Sequence, residues 1–148
     1  MSVPYDVFSG AFLAKIEERN FPKDRYLTMA MVDGYMKRAI AQFKHICLYD
    51  FSTTANDVLR EFRLNVEPGD LDELADIVSE GMLVQWMKPY VNRSDSFENL
   101  LSTKDFTTHS PAELVKAIRA SYTETSRAFT NMMREYSYNH GDLTELHL

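Results

Sequence analysis

Residues 70–90, DLDELADIVSEGMLVQWMKPY, indicate the class of fold that the rest of the chain completes. Apolar side chains recur in this stretch at helical spacing, but they cover a wide arc instead of one narrow stripe. They are Leu74, Ile77, Val78, Met82, Val84 and Trp86. We therefore expect a long central helix that is buried on most of its sides. Gly81 predicts a close approach by another helix, because glycine in a helix interior costs about 1 kcal/mol relative to alanine.

Polar residues and a proline mark the expected ends of this central helix. Asp70 and Glu73 have the spacing of a capping box, which places the first helical residue at Leu71. Pro89 removes a backbone donor and cannot lie deep inside a helix without cost. The helix should therefore bend or end close to Tyr90.

Two amphipathic stretches precede the central helix. The first follows Pro4, placed as a first-turn proline, and its apolar residues share one helical face: Tyr5, Phe8, Phe12, Leu13 and Ile16. The second is expected to run from about Asp24 to Ile46, with Gly34 at a close helix contact. Its cations Lys37, Arg38 and Lys44 lie opposite an apolar stripe of Val32, Tyr35, Met36, Ala39, Ile40, Phe43 and Ile46.

The last helix has the clearest start signal in the chain. Ser110 is the expected N-cap, Pro111 takes the first helical position, and Glu113 closes the capping box. The helix should continue to about Tyr138, and Gly141 suits the left-handed position past its end. Its seam steps by three and four residues through Ile118, Tyr122, Thr125, Phe129, Met132 and Tyr136.

Residues 48–67 have a different pattern, because apolar and polar residues alternate there. Tyr49 and Phe51 form one alternating arm, residues 62–66 form the other, and the stretch between them is loop-like. The fold class is therefore mainly α. We expect a bundle of about three long helices with a short β-hairpin or loop insertion and an extended C-terminal tail. Residues 1–138 would form the helical domain and residues 139–148 the tail.

Composition limits the class of protein. The formal net charge is −6 and the sequence pI about 5.2. Residues 48–105 hold twelve acidic and five basic side chains, a net charge of −7. Nonspecific nucleic-acid binding needs clustered cations and is disfavoured. A single cysteine, Cys47, excludes an internal disulfide and is expected to be a small buried residue. We find no signal peptide and no membrane span, so we expect a soluble intracellular protein.

No constellation of side chains for catalysis appears, so we predict neither an enzyme nor a cofactor. In principle, His140, Asp142, Glu145 and His147 could gather a metal ion. They lie in a tail that we expect to be mobile and without a second shell, so we predict no metal site. The acidic row of Asp72, Glu73, Asp76 and Glu80 is typical of a solvated helix face.

The chain has more large apolar groups than a domain of this size can bury at once. We expect some of them to be left for other subunits. The groups concerned are Met29, Met31, Trp86, Tyr90, Tyr136, Tyr138, Leu143, Leu146 and Leu148.

The whole chain resembles the helical head–tail connector, or adaptor, proteins of tailed bacteriophages. The stretches that carry the resemblance are MSVPYDVFSGAFLAKI (1–16), VDGYMKRAIAQF (32–43), DELADIVSEGMLVQWMKPYV (72–91), TKDFTTHSPAEL (103–114) and REYSYNHGDLTELHL (134–148). Together they span the chain nearly end to end. This chain is longer than the smallest members of that family, and we assign no role to residues 48–67 and 94–109.

The resemblance implies a structural protein of the virion neck, which is in the host cytoplasm during assembly. A homo-oligomeric ring, a dodecamer by resemblance, would join the capsid portal protein to the next neck or tail component. It would extend the channel through which DNA passes during packaging and ejection, without specific binding and without a membrane. The partner-binding residues would be Tyr136, Tyr138, His140, Asp142, Leu143, Leu146 and Leu148.

Other readings of the same residues stay open. A small helical regulatory or protein-binding module would form a dimer and fold its tail onto its own body. A small enzyme would use the histidines and acids of the tail.

Overall fold

The computed structural model describes residues 2–19, 21, 27–92 and 111–140. This part of the chain is mainly helical, with a small antiparallel sheet. The elements are β1 (Val3–Pro4), α1 (Asp6–Glu18), α2 (Met29–Phe43), β2 (Ala55–Asn56), β3 (Glu61–Phe62), α3 (Pro68–Asn92) and α4 (Pro111–His140).

Helix α3 is the centre of the fold, as its sequence predicts. It packs against α1, α2 and α4, and every residue from Ile77 to Met87 is buried. The predicted capping box is wrong, because α3 begins at Pro68. The Asp70 carboxylate instead accepts a hydrogen bond from the Tyr49 hydroxyl at 2.7 Å. The helix ends at Asn92, within one turn of its internal proline.

Helix α2 starts later than its sequence suggests. Thr28 has an extended backbone, and its hydroxyl accepts a hydrogen bond from the Met31 amide at 3.2 Å. This N-cap makes Met29 the first helical residue, whereas residues 22–26 lie outside the described part of the chain. The predicted apolar stripe is buried from Val32 to Phe43, and the three predicted cations are exposed.

Helix α4 confirms the predicted seam. Ile118, Thr125, Phe129 and Tyr136 are buried, and the intervening Tyr122 and Met132 pack against the core. Pro111 is the first helical residue, as expected. The expected cap at Ser110 and the stop at Gly141 lie outside the described residues.

The two glycines expected at helix contacts differ in the space around them. A Cβ built on Gly81 would lie 2.6 Å from Cζ of Phe129 and 2.9 Å from Cβ of Ala39. Gly81 therefore lets α2 and α4 both approach α3. A Cβ on Gly34 meets no neighbouring atom within 4 Å, so the expected close contact there is wrong.

The small sheet differs from the predicted hairpin. Its strand order is β1-β3-β2, with Val3 and Ala55 both paired to Phe62. The predicted arm at residues 49–51 is not a strand, and Ala55–Asn56 lies where a loop was expected. Pro4 belongs to edge strand β1 instead of the first turn of α1. Edge strands tolerate proline because its missing donor is not needed there.

Arg60 joins this sheet to the helices. It has a positive φ of 51°, which is uncommon for a residue other than glycine. Its guanidinium donates two hydrogen bonds to Asp33 of α2, at 2.8 and 2.9 Å, and one to Asp6 of α1, at 3.1 Å. These ion pairs hold the sheet against both helices and stabilise the unusual backbone conformation.

Several large apolar side chains remain exposed, in line with the expected surplus. Met29, Met31 and Leu13 are exposed, although Leu13 was predicted to face the core. Trp86 is fully buried, so it is not part of that surplus. Cys47 is half-buried. No helix in the described ranges is long and apolar enough to cross a membrane.

Candidate docking site

The last turns of α4 contain three of the residues predicted to bind a partner. Tyr136 is only 1% exposed. Its ring packs against Phe43 of α2 with the ring centroids 4.9 Å apart. Its hydroxyl accepts a hydrogen bond from the Leu48 amide at 3.2 Å. Tyr136 therefore belongs to the chain's own core and fixes the end of α4 on α2.

Burial also sets the protonation state of this tyrosine. It raises the pKa of Tyr136 to about 12 because the charged phenolate would lose its hydration. Burial also raises the pKa of the Cys47 thiol, which lies near this hydroxyl. At neutral pH both groups are uncharged, so this contact is structural and not a source of reactive thiolate.

His140, the last residue of α4, makes a second contact that fixes the helix end. Its ring lies 4.5 Å from the Tyr136 ring, and its Nε2 lies 3.1 Å from Oε2 of Glu73. Glu73 is in the second turn of α3, so the end of α4 meets the beginning of α3. The starting point of the segment after His140 is thus fixed by contacts to two helices.

Two large apolar side chains are exposed near the end of α4, on different sides of the helix. Tyr138 is 71% exposed, and Leu48, whose amide contacts Tyr136, is 63% exposed. Tyr138 lies two residues after Tyr136, which places it on the opposite face of α4. These two side chains are therefore accessible to a partner at the point where residues 141–148 begin.

The predicted docking residues thus fall into three groups. Tyr136 and His140 pack within the chain, and Tyr138 faces outward. Asp142, Leu143, Leu146 and Leu148 lie outside the described residues. The predicted boundary between body and tail, at residues 138 and 139, falls inside α4, because the helix continues to His140.

The acidic row on α3 is not a uniform solvated face. Glu80 is buried, and its side chain is 2% exposed. Both of its oxygens accept hydrogen bonds from Arg19, at 2.8 and 3.0 Å, and one also pairs with Lys15 at 2.9 Å. The solvated-face interpretation is wrong for Glu80, because the sequence did not reveal that Lys15 of α1 and Arg19, just after α1, reach this position.

The remaining carboxylates of the row give no metal site. Asp76 pairs with Lys15 at 2.8 Å, and Glu73 contacts His140. Within residues 2–19, 21, 27–92 and 111–140, no group of three or more His, Cys, Asp or Glu side chains is placed to hold a metal ion.

Sequence reasoning missed an exposed apolar tip on the sheet. Val58 is 92% exposed and Leu59 is 61% exposed, and both lie in the turn between β2 and β3. The Asn56 side chain accepts hydrogen bonds from both of their amides, at 3.1 and 3.2 Å. Such a side-chain cap is typical of asparagine in turns, so Asn56 was the available signal.

Comparisons with protein families, with curated proteins and with solved structures gave no match for this chain. The resemblance to phage connector proteins therefore stays a prediction.

Proposed function

We propose that this protein is a structural component of a bacteriophage neck. Copies of the chain form a ring, a dodecamer by resemblance, that joins the capsid portal protein to the next neck or tail component. The ring extends the channel through which DNA passes. The protein acts by stoichiometric binding and has no catalytic step.

The helical body supplies the ring-forming unit in this proposal. Helices α2, α3 and α4 are its long helices, arranged as a bundle, and α1 and the small sheet are additions to them. The buried centre of α3 supports a stiff body, because well-packed interiors have low compressibility. A stiff unit suits a protein that holds two neighbouring rings in a fixed relative position.

Residues 141–148 supply the docking tail. The observation that carries this part is the corner where α4 ends. Tyr136 and His140 fix the helix end, whereas Tyr138 and Leu48 expose apolar surface beside it. Leu143, Leu146 and Leu148 follow directly in the sequence. One short apolar tail binds weakly, but several tails on one ring gain strength from their high effective concentration.

The DNA channel requires a surface that does not hold phosphates. Residues 48–105 carry a net charge of −7. A negative lining repels DNA and lets it slide, because nonspecific binding depends on cations that displace the counterions of the duplex. We therefore propose that exposed carboxylates of residues 48–105 face the channel.

The docking tail is tested by removing its apolar groups. We expect the triple variant Leu143→Ala, Leu146→Ala and Leu148→Ala to fold normally by circular dichroism. It should lose at least about tenfold in binding to capsids that carry a candidate portal protein, measured by co-sedimentation. Deleting residues 141–148 should give the same result.

The matched control removes exposed apolar groups elsewhere. The variant Val58→Ala with Leu59→Ala should bind capsids as the unmodified protein does. An insoluble product from the tail deletion would place the tail in the chain's own core. Full capsid binding by the soluble triple variant would contradict the proposal.

A further inference from the structure

Helix α4 carries a continuous basic surface on the face opposite its buried seam. Residues spaced three and four apart are all exposed there, and they include four cations and no acid. We call them the basic stripe: Lys116, Arg119, Ala120, Thr123, Arg127, Thr130 and Arg134. From Lys116 to Arg134 the stripe extends about 27 Å at 1.5 Å per residue.

Three of these cations are available to a partner. Lys116, Arg127 and Arg134 make no ion pair with any residue in the described ranges. Glu124 and Glu135 are exposed on the same helix, but they lie about 80–100° around it from the centre of the stripe. In a chain whose net charge is −6, this concentration of positive charge on one face can bind an acidic surface.

Helix α1 presents a surface of opposite charge. Its exposed residues place small or apolar groups between acidic ends. We call them the acidic face: Asp6, Gly10, Leu13, Ala14, Glu17 and Glu18. A Cβ built on Gly10 meets no neighbouring atom within 4 Å, so the middle of this face is open to another helix. Glu17 and Glu18 make no ion pair among the described residues, whereas Asp6 pairs with Arg60 at 3.1 Å.

The two surfaces match in spacing as well as in charge. Asp6 and Glu17 are eleven residues apart, and so are Lys116 and Arg127. Eleven residues make about three helical turns, so each pair lies on one face and its members are about 16 Å apart. Between the charges lie Gly10, Leu13 and Ala14 on α1, and Arg119, Ala120 and Thr123 on α4.

The geometry within one chain keeps these surfaces apart. Helices α1 and α4 each pack their buried side against α3 and make little or no contact with each other. A basic stripe can therefore meet an acidic face only on a second copy. Such a contact joins two different surfaces, and heterologous contacts of this kind close into rings when the rotation between copies allows it.

We infer that the basic stripe of α4 on one protomer docks on the acidic face of α1 on the next. This inference rests on the proposed ring and names the contact that builds it. The chain supplies its own acidic partner at equal concentration, which favours a second copy over a separate polyanion. The contact has an apolar centre and a charged rim, as specific protein interfaces commonly do.

Charge reversal tests the contact. One variant carries Glu17→Lys with Glu18→Lys, and the other carries Lys116→Glu with Arg127→Glu. Each alone sets like charges against each other, so self-association measured by sedimentation equilibrium should weaken at least about tenfold. The control Arg38→Glu with Arg63→Glu makes the same charge change as the second variant on other exposed positions, and it should associate like the unmodified chain.

Mixing the two reversal variants gives the sharper result. A basic α1 of one variant then faces an acidic α4 of the other, and the reciprocal contact is complementary as well. Native mass spectrometry should show assemblies in which the two variants alternate, although neither assembles alone. Raising the salt concentration should weaken these assemblies, because exposed charges are screened.

Three results would overturn the inference. They are an unmodified chain that stays monomeric at every concentration, reversal variants that associate like the control, or a mixture that does not assemble. A monomeric chain whose binding to duplex DNA is lost in the Lys116→Glu and Arg127→Glu variant would assign the stripe to phosphates instead. Self-association of the unmodified chain without binding to capsids that carry a portal protein would contradict the proposed neck function but not this contact.

Discussion

At residue 81 the core has no room for a methyl group. Gly81→Ala should lower the free energy of unfolding by about 1–2 kcal/mol, since overpacking costs more than the gain in helix propensity returns. The nearest atoms, in Phe129 and Ala39, belong to two different helices, so neither can move without disturbing the core. Urea denaturation measures the change.

Gly34→Ala is the matched control for this substitution. Space is available there, and the variant should gain up to about 1 kcal/mol from helix propensity alone. Equal effects of the two substitutions would show that α2 and α4 do not approach α3 as closely as the structure has them.

The hydroxyl of Tyr136 should make stability depend on alkaline pH. Its pKa is raised from an ordinary value of 10.0 to about 12, so between these values the unfolded chain ionises while the folded chain keeps its proton. The contribution of this hydroxyl to the free energy of unfolding is fully present below pH 10 and falls as the pH rises towards 12.

Tyr136→Phe isolates this contribution. The variant should be about 1 kcal/mol less stable at pH 8, because it loses the hydrogen bond to Leu48. The difference from the unmodified protein should shrink above pH 10, as followed by urea denaturation at a series of pH values. A difference that grows with pH would contradict the buried position of the hydroxyl.

At the scale of the elements, one carboxylate joins α1 to α3. Glu80→Gln keeps the volume but removes the charge that Lys15 and Arg19 share. We expect a loss of about 2–3 kcal/mol, below the range for a fully buried pair because Arg19 is 39% exposed. Asp76→Asn, at a side chain that is 60% exposed, should change stability by less than about 0.5 kcal/mol. Similar losses in both variants would contradict a special role for Glu80.

The helices could be predicted from the sequence because their burial follows a regular period. The stripe of α2 and the seam of α4 each lie on one face, so residue spacing alone identifies them. The sheet could not be predicted in the same way. Its strands have two residues each, too few for an alternating pattern to stand out, and β1 pairs with a partner almost sixty residues later.

The candidate site was only partly predictable for a related reason. Tyr136 and Tyr138 look alike in the sequence, yet one is buried and the other exposed. Their two-residue separation on a helix turns them to opposite sides, and the seam of α4 marks the Tyr136 side as inward, whereas the predicted docking residues included both. The ion pairs of Arg60 and Glu80 join distant residues, and local patterns do not reveal such pairs.

At the scale of the whole molecule, surface charge is separated between elements. Helix α4 carries the basic stripe and α1 the acidic face, while residues 48–105 hold most of the acidic excess. Such a separation orients copies of one chain relative to each other, since wrongly oriented encounters bring like charges together. In our proposal, the chain thus carries surfaces for self-association and, after α4, a separate apolar segment for a different partner.

The mass of the complex between this protein and a candidate portal protein tests the proposed function most directly. Native mass spectrometry should find a closed ring of copies on each portal, twelve by resemblance, and the deletion of residues 141–148 should abolish that complex. A stable dimer that forms without these residues and ignores the portal would contradict the neck assignment and favour a regulatory module.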